Sequence, residues 1–132
     1  MVMAGGVGTV SETIATLHRY LGESLVTIAF IGAVLGLFAS DPKGGVAKAA
    51  WIVVRVFGVL ISIQWLLGII NYFMLPAAVR PSLAHPLLMT LIVAAFHPAQ
   101  RRLQKLEGSP RWPLVGLLAV TAVLIWIGIG LA

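Results

Sequence analysis

The sequence predicts an all-α membrane protein, a four-transmembrane-helix up-and-down bundle that forms a single domain. The 132-residue chain is 60% hydrophobic and only 10% charged, with a mean hydropathy of +1.04. A soluble domain carries about 25% charged residues. Four stretches contain no Asp, Glu, Lys or Arg, namely residues 24–40, 56–79, 82–100 and 112–132. Each has roughly the length that a bilayer core of about 30 Å demands of a helix.

Local signals place the first two helices. Thr9 and Glu12 fit a capping box, so the first helix is predicted to begin there. It is predicted to end near Ala39, because Pro42 lies in a turn signal just beyond. The second helix is predicted over residues 46–75, since Pro76 disfavours helical backbone at the residue before it.

Proline and glycine also bound the last two helices. The third is predicted to start near Leu83 and to continue past Arg101 into a basic segment that Gly108 and Pro110 terminate. The fourth is predicted to run from Trp112 to the end of the sequence. The membrane spans are therefore expected at about residues 18–39, 48–75, 83–102 and 112–131, joined by short loops as in an up-and-down bundle.

Small residues occur where helices could approach closely. Gly32 and Gly36 form a G-x-x-x-G motif on the first helix, and Gly128 and Gly130 lie on the fourth. In lipid such residues favour close packing between helices. The alternative, of about equal weight, is that this spacing arises by chance in an apolar sequence rich in glycine.

The basic residues predict the orientation. Seven of the nine Lys and Arg residues lie on the side of the first and third connections, and only Arg19 and Arg80 lie on the other. Because cytoplasmic segments carry the excess of Lys and Arg, the richer side is predicted to be cytoplasmic. The chain is then an integral, multi-pass protein of the cell (inner) membrane with both termini non-cytoplasmic.

Charge and cysteine content exclude several functions. A net charge of +5 and a pI of about 10.5 would suggest nucleic-acid binding in a soluble protein. Here the basic residues lie at helix ends and in loops, so anionic lipid is the expected partner and nucleic acid is not. The absence of cysteine excludes thiolate metal sites, iron–sulfur clusters and c-type heme attachment.

Two histidines are the candidate metal ligands. His18 begins the membrane part of the first helix and His85 begins the third. These helices run parallel, so both side chains are expected near the non-cytoplasmic face. Two neutral imidazoles from separate helices can hold heme iron as axial ligands. The alternative is that each is a half-solvated interfacial histidine without a ligand.

Neighbouring residues extend the predicted heme site. Gly22 could admit a flat macrocycle. Arg19 and Arg80 could neutralise the anionic propionates, and Met89 lies one turn from His85. Asn71 could orient a ligating imidazole. The alternative roles are helix packing for the glycine, binding of lipid phosphate for the arginines, core filling for the methionine and an interhelical hydrogen bond for the asparagine. The additional predicted cofactor-binding residues are Gly22, Arg19, Arg80 and Met89.

Three segments resemble the heme A synthase family. His18 followed by Arg19 resembles the histidine–arginine start of a helix in that family. The segment from Gln64 to Gly68, followed by His85 opening the next helix, resembles its glutamine–glycine helix and second ligand histidine. The resemblance covers roughly residues 17–95. It implies one four-helix half of that family, with heme held at the outer side by histidines two helices apart.

The resemblance does not extend to an enzyme. The family carries a carboxylate three residues before its first histidine, where this chain has Ala15, and it has two such halves. The predicted function is therefore electron transfer by a b-type subunit that binds one heme b in a larger complex. Expected partners are other membrane subunits of a redox complex, lipid and, as a redox partner, quinone. The alternative is a cofactor-free accessory or scaffold subunit of a respiratory or photosynthetic membrane complex.

Helix length sets a condition on this site. His18 lies 23 residues before Asp41, whereas His85 lies 16 residues before Arg101. At 1.5 Å per residue these are about 35 and 24 Å of helix. Helix tilt, or an extension of the third helix past Arg102, has to bring the two rings to the same depth.

Three more polar residues have predicted roles. Glu23 is expected to pair with Arg19, four residues earlier on the same helix face, with a proton or quinone contact as the alternative. Gln64 is expected to be structural, with its amide satisfied across helices. His97 lies toward the cytoplasmic end without a second histidine, so it could ligate one pigment singly or contact a lipid phosphate.

Overall fold

The computed structural model describes residues 4–132, with side chains described from Val10 onward. Four long helices and one short 3-10 turn account for nearly all of this range, and it contains no strand. The elements, in chain order, are α1 (Ala4–Leu37), α2 (Gly45–Met74), the 3-10 turn (Ala77–Val79), α3 (Ala84–Gln104) and α4 (Arg111–Gly130). The predicted all-α fold is confirmed.

The helix ends agree with the sequence prediction except at the start of α1. The helix begins at Ala4, five residues before Thr9, so the predicted capping box lies inside the helix and does not start it. At the other ends proline and glycine act as predicted. Gly44 caps α2, Leu75 ends it in extended backbone before Pro76, and Pro110 precedes the first residue of α4.

Helices that are consecutive in the chain pack side by side, and α4 returns to pack against α1. The helices α1 and α3 stand at opposite corners, and among the described residues none of their Cα atoms come within 8 Å of each other. This is the arrangement of an up-and-down bundle. Any contact between α1 and α3 must therefore be made by long side chains that reach across the centre.

Three helices are long and apolar enough to cross a membrane: Val10–Leu37, Gly45–Met74 and Arg111–Gly130. Most of their side chains face outward although they are apolar, and the exposed residues include Phe30, Phe73 and Trp126. An apolar exterior of this extent is stable in lipid rather than in water. The chain is thus a membrane protein by the composition of its helices. The helix α3 is less apolar because it contains two histidines, two prolines and two arginines.

The close approach of α1 and α4 depends on glycine. A Cβ at residue 32 would lie 2.6 Å from Leu118 Cδ1, and one at residue 36 would lie 3.1 Å from Leu114 Cβ. The G-x-x-x-G motif therefore forms the α1–α4 contact, which confirms its predicted role in packing. Gly130 contributes nothing comparable, since a Cβ there would meet no atom within 4 Å.

Apolar side chains fill the half of the bundle that ends at the α1–α2 loop. Val54, Phe57, Phe96, Leu114 and Leu118 are almost completely buried between the central region and the α1–α2 loop. Toward the opposite end, the centre instead holds two histidines, an asparagine and a glutamine. The packed half fixes the positions of the helices, and the other half leaves space between them.

Candidate functional site

His18 and His85 meet across the centre of the bundle. Their ring centroids are 6.2 Å apart and the ring planes are almost perpendicular, at 88°. They come from α1 and α3, the two helices at opposite corners. The structure therefore brings together the two histidines that the sequence analysis paired.

The lengths of α1 and α3 explain how the rings reach the same depth. The helix α1 ends at Leu37, before the Asp41 turn, and α3 continues through Gln104, past the first basic residues. His18 lies 19 residues before Leu37, and His85 lies 19 residues before Gln104. Both rings are thus about 28 Å of helix from the same end of the bundle, and the predicted extension of α3 past Arg102 is confirmed.

Two cavities border the pair of rings. The α2–α3 cavity has a volume of about 200 Å³ and is bounded mainly by α2, the loop that follows it and the start of α3. The α1–α4 cavity has a volume of about 290 Å³ and is bounded mainly by α1 and α4. Ligand pockets usually measure about 300–1,000 Å³, a size that the two cavities reach only together. Six residues line both of them: His18, Gln64, Asn71, His85, Met89 and Ala132.

A backbone carbonyl of α4 holds His85 in position. His85 Nδ1 lies 2.7 Å from the carbonyl oxygen of Gly128. That carbonyl belongs to the last turn of α4, where it also accepts a hydrogen bond from the Leu131 backbone N–H at 3.1 Å. Since a carbonyl only accepts, Nδ1 carries the proton and Nε2 keeps the lone pair that can bind a metal. The predicted orienting residue, Asn71, does not fill this role.

Two residues of α2 hold His18 in position. The Gln64 amide nitrogen donates to the His18 carbonyl oxygen at 2.7 Å. Gly68, four residues later on the same face, lies beneath the imidazole: a Cβ there would be 2.7 Å from His18 Cε1. In the sequence Gly68 belongs to the segment that resembles the heme A synthase family, and no role is predicted for it. Its position four residues after Gln64 is the signal that could have placed it on the same face.

Gly22 serves the same contact rather than opening free space. A Cβ at residue 22 would lie 2.8 Å from the Gln64 amide nitrogen. The missing side chain therefore lets the amide reach the backbone of α1. Gly22 also lines the α1–α4 cavity, so its predicted place beside the site is compatible with this packing role.

Three buried polar atoms at the site have no hydrogen-bond partner among the described residues. They are His18 Nδ1, Gln64 Oε1 and Asn71 Oδ1. All three residues line both cavities, and Gln64 is only 4% exposed. Buried polar atoms are rarely left unpaired, because each costs about 1–3 kcal/mol. Their concentration here indicates a place where a polar ligand or water completes the structure.

The remaining predicted site residues fall into two groups. Met89 is buried and lines both cavities, and Arg19 lines the α1–α4 cavity. Arg19 also pairs with Glu23 at 3.1 Å, as predicted. Arg80 is exposed, lies outside both cavity linings and donates to the carbonyls of Leu75 at 2.8 Å and Phe73 at 3.4 Å. It thus caps the end of α2 beside the loop that bounds the α2–α3 cavity.

His97 lies apart from the paired histidines. Its Nε2 is 2.9 Å from the Ser62 hydroxyl, and that hydroxyl donates its only proton to the Gly58 carbonyl. The hydroxyl must then accept from Nε2, which leaves this nitrogen without a lone pair for a metal. The hydrogen bond joins α2 to α3 and gives His97 a structural role.

No group of three or more His, Cys, Asp or Glu side chains that could hold a metal ion occurs in the part of the chain whose side chains are described. The candidate ligands that the structure brings together are therefore the two imidazoles of His18 and His85. The chain matches no protein-family model, no curated protein and no solved structure. The likeness to the heme A synthase family stays a prediction that the residues alone carry.

Proposed function

We propose that the protein binds one heme b between His18 and His85 and transfers single electrons as a subunit of a larger membrane complex. One observation carries this proposal. Two imidazoles from opposite corners of the bundle approach to 6.2 Å, with a cavity adjoining them on either side. A merely structural histidine pair needs no such space around it.

The distance between the rings fits two axial ligands. A metal–imidazole bond is about 2.0 Å long, so two nitrogens that share one metal ion lie about 4 Å apart. Adding about 1 Å from each nitrogen to its ring centre gives centroids about 6 Å apart, close to the 6.2 Å of this pair. The separation of the two rings is therefore compatible with one metal ion held by both histidines.

The chain's own groups supply the remaining features of such a site. Gly128 and Gly68 fix the two ring positions through a carbonyl and a missing side chain. Arg19, beside the α1–α4 cavity, offers a guanidinium to a propionate in exchange for its exposed pairing with Glu23. Arg80 uses Nε and Nη2 for its two carbonyl hydrogen bonds and keeps further N–H donors for a propionate. The heme supplies one-electron redox chemistry, whose potential is set by the two imidazoles and by burial.

The membrane placement that we propose has four spans. The helix α3 is 21 residues long, about 31 Å, and packs between α2 and α4. Its neighbours on both sides are apolar enough to span, so a bundle of this order carries α3 across with them. The end of the bundle opposite the paired histidines carries most of the basic residues, which supports a cytoplasmic location for that end. The histidines then lie near the non-cytoplasmic face.

Partner subunits follow from the small size of the protein. Nearly every described residue lies in a helix or a short loop, so the chain has no extramembrane domain within residues 4–132 that could bind a soluble redox carrier alone. Exposed aromatic residues such as Trp112 and Trp126, which are 66% and 70% exposed, offer surfaces for other membrane subunits. Quinol is the membrane-soluble electron donor that this location favours.

Optical spectroscopy tests the proposal. The protein is purified after expression with heme supply, and reduced-minus-oxidised spectra and heme stoichiometry are measured. We expect one heme b per chain, with the bands lost in His18→Ala and in His85→Ala. His97→Ala is the matched control, because it removes the chain's third histidine, which lies on α3 and is already paired with Ser62. A colourless wild type, or equal loss in all three variants, contradicts the proposal.

A second candidate is a cofactor-free scaffold subunit. It is favoured by the amount of apolar surface that the bundle leaves uncovered, which includes Phe30, Phe38 and Phe73 at 68–69% exposure. This candidate requires that the protein co-purify with a large complex without absorbing visible light. The same spectra therefore distinguish the two functions.

A further inference from the structure

A second open space lies between α3 and α4, away from the histidines. This α3–α4 groove has a volume of about 440 Å³ and extends from Leu88 and Leu124 to Leu103 near the end of α3. Its lining is apolar apart from Thr121, whose hydroxyl donates to the Leu117 carbonyl of its own helix at 2.7 Å. The groove therefore offers hydrocarbon contact along its length and no free polar group.

Small residues open the groove. Ala95 and Ala99 line it from α3, and Gly116 lines it from α4. A Cβ at residue 116 would meet nothing within 4 Å, unlike the glycines that hold α1 against α4. Gly116 thus does not serve a helix contact within the bundle. The small residues leave a channel that another molecule can fill.

A basic cluster follows the groove at the end of α3. Arg102 lies seven residues after Ala95 and three after Ala99, so it continues the groove-lining face of the helix. Arg101 and Lys105 lie beside it. Among residues 10–132 the one salt bridge joins Arg19 to Glu23 at the opposite end of the bundle, so none of these three cations has an acidic partner there.

We propose that the α3–α4 groove binds an anionic phospholipid, with an acyl chain along the apolar lining and the phosphate at Arg102. The guanidinium is a good donor to phosphate oxygens, and a basic residue near a membrane surface attracts anionic lipid. The binding site rests on the proposed membrane span of α3. It does not depend on heme.

Charge argues against a second copy of the chain as the occupant. Two copies in one membrane are related by an axis along the membrane normal, which puts identical ends at the same depth. A dimer through this groove would place Arg101 and Arg102 close to the same residues of the other copy. Like charges so close are destabilising, whereas a phosphate neutralises them.

Native mass spectrometry from mixed micelles tests the site, with phosphatidylglycerol and phosphatidylcholine as the two probes. We expect the wild type to retain one phosphatidylglycerol in preference to phosphatidylcholine. Arg102→Gln should reduce its retention about fivefold, because it removes the guanidinium that donates to the phosphate at the end of the groove. Gly116→Leu should reduce it at least as much by filling the groove, and Ala95→Leu serves if that variant does not fold. Lys43→Gln, in the exposed α1–α2 loop, is the charge-matched control and should leave retention unchanged.

Three results would overturn the proposal. They are equal retention of both lipids, equal loss in Lys43→Gln and Arg102→Gln, and a dimer that Gly116→Leu abolishes. Heme content is measured in the same samples and should stay at the wild-type level in every groove variant. Loss of the heme bands in His18→Ala with unchanged lipid retention separates the two sites. A protein without heme that still selects phosphatidylglycerol would refute the cytochrome proposal and leave the lipid site standing.

Discussion

Gly68→Ala tests the heme site without removing a ligand. The added Cβ would lie 2.7 Å from His18 Cε1 and 3.4 Å from its Nδ1. Carbon atoms in ordinary contact are about 3.5–4.0 Å apart, so the imidazole has to move by about 1 Å. A metal–ligand distance tolerates a deviation of about 0.2 Å. One methyl group therefore displaces the ring several times further than ligation permits.

Gly68→Ala affects the folding stability of the protein and its affinity for heme to different extents. Overpacking of this kind costs about 1–3 kcal/mol, and replacing glycine by alanine inside a helix returns about 1 kcal/mol. The net loss of stability, at most about 2 kcal/mol, should leave the bundle folded. Mutation of a residue that positions a metal ligand typically lowers the affinity for the metal 10–100-fold. We therefore expect the Kd for heme to rise at least tenfold.

The assay is heme titration of the apoprotein in detergent, followed by absorbance, with thermal unfolding as the check on folding. Gly116→Ala is the matched control, because a Cβ there meets nothing within 4 Å. It should bind heme as the wild type does. If Gly68→Ala binds heme with unchanged affinity and an unchanged spectrum, His18 does not ligate in the position described here.

Three further outcomes are expected. Gly32→Leu should lower the free energy of unfolding by at least about 1–3 kcal/mol through overpacking against α4; unchanged stability would contradict the α1–α4 contact. Arg19→Gln should lower the heme midpoint potential in a redox titration, since loss of a cation favours the ferric state. The decrease should be larger than in Arg80→Gln, because of these two arginines only Arg19 lines a cavity. A larger decrease in Arg80→Gln would place the propionates at Arg80. Ser62→Ala should cost about 1 kcal/mol in thermal unfolding by leaving His97 unpaired, with no change in heme content; altered heme bands would show that His97 takes part in the site.

The helices were predictable because their signals are local. Long uncharged stretches, proline and glycine at the connections and the position of the basic segments all act within a few residues along the chain. The start of α1 was placed wrongly at Thr9. A capping box competes with continued helix, and here the backbone remains helical back to Ala4 despite the glycines. Local capping signals do not decide how far a helix extends when the preceding residues can also be helical.

The pairing of His18 with His85 followed from topology, but its geometry did not. Four helices in sequence place the first and third parallel, which puts both histidines near one face. The 6.2 Å separation depends on where α1 ends and how far α3 continues. The helices do not end at the charged residues Asp41 and Arg101. Counting from those residues therefore gives unequal depths for the two histidines, whereas counting from the helix ends gives equal depths.

The residues that hold the histidines in place could not be predicted. Gly128 presents a carbonyl to His85 from a helix 43 residues away in sequence, and any residue type offers that group. Gly68 acts through an absent side chain, which has no chemical signature. Asn71, whose side chain does suggest hydrogen bonding, was assigned the orienting role and leaves its oxygen unpaired among the described residues.

The sequence by itself determined that this chain folds as four helices and that its apolar helices belong in a membrane, because hydropathy and backbone hydrogen bonding are properties of short segments. It also put two histidines at the same end. Only the tertiary structure decided that their rings converge, that cavities adjoin them and that Arg80 caps a helix. Those facts depend on distances between residues far apart in the chain, which the close packing of Gly32 and Gly36 against α4 and of Gly68 against His18 helps to set.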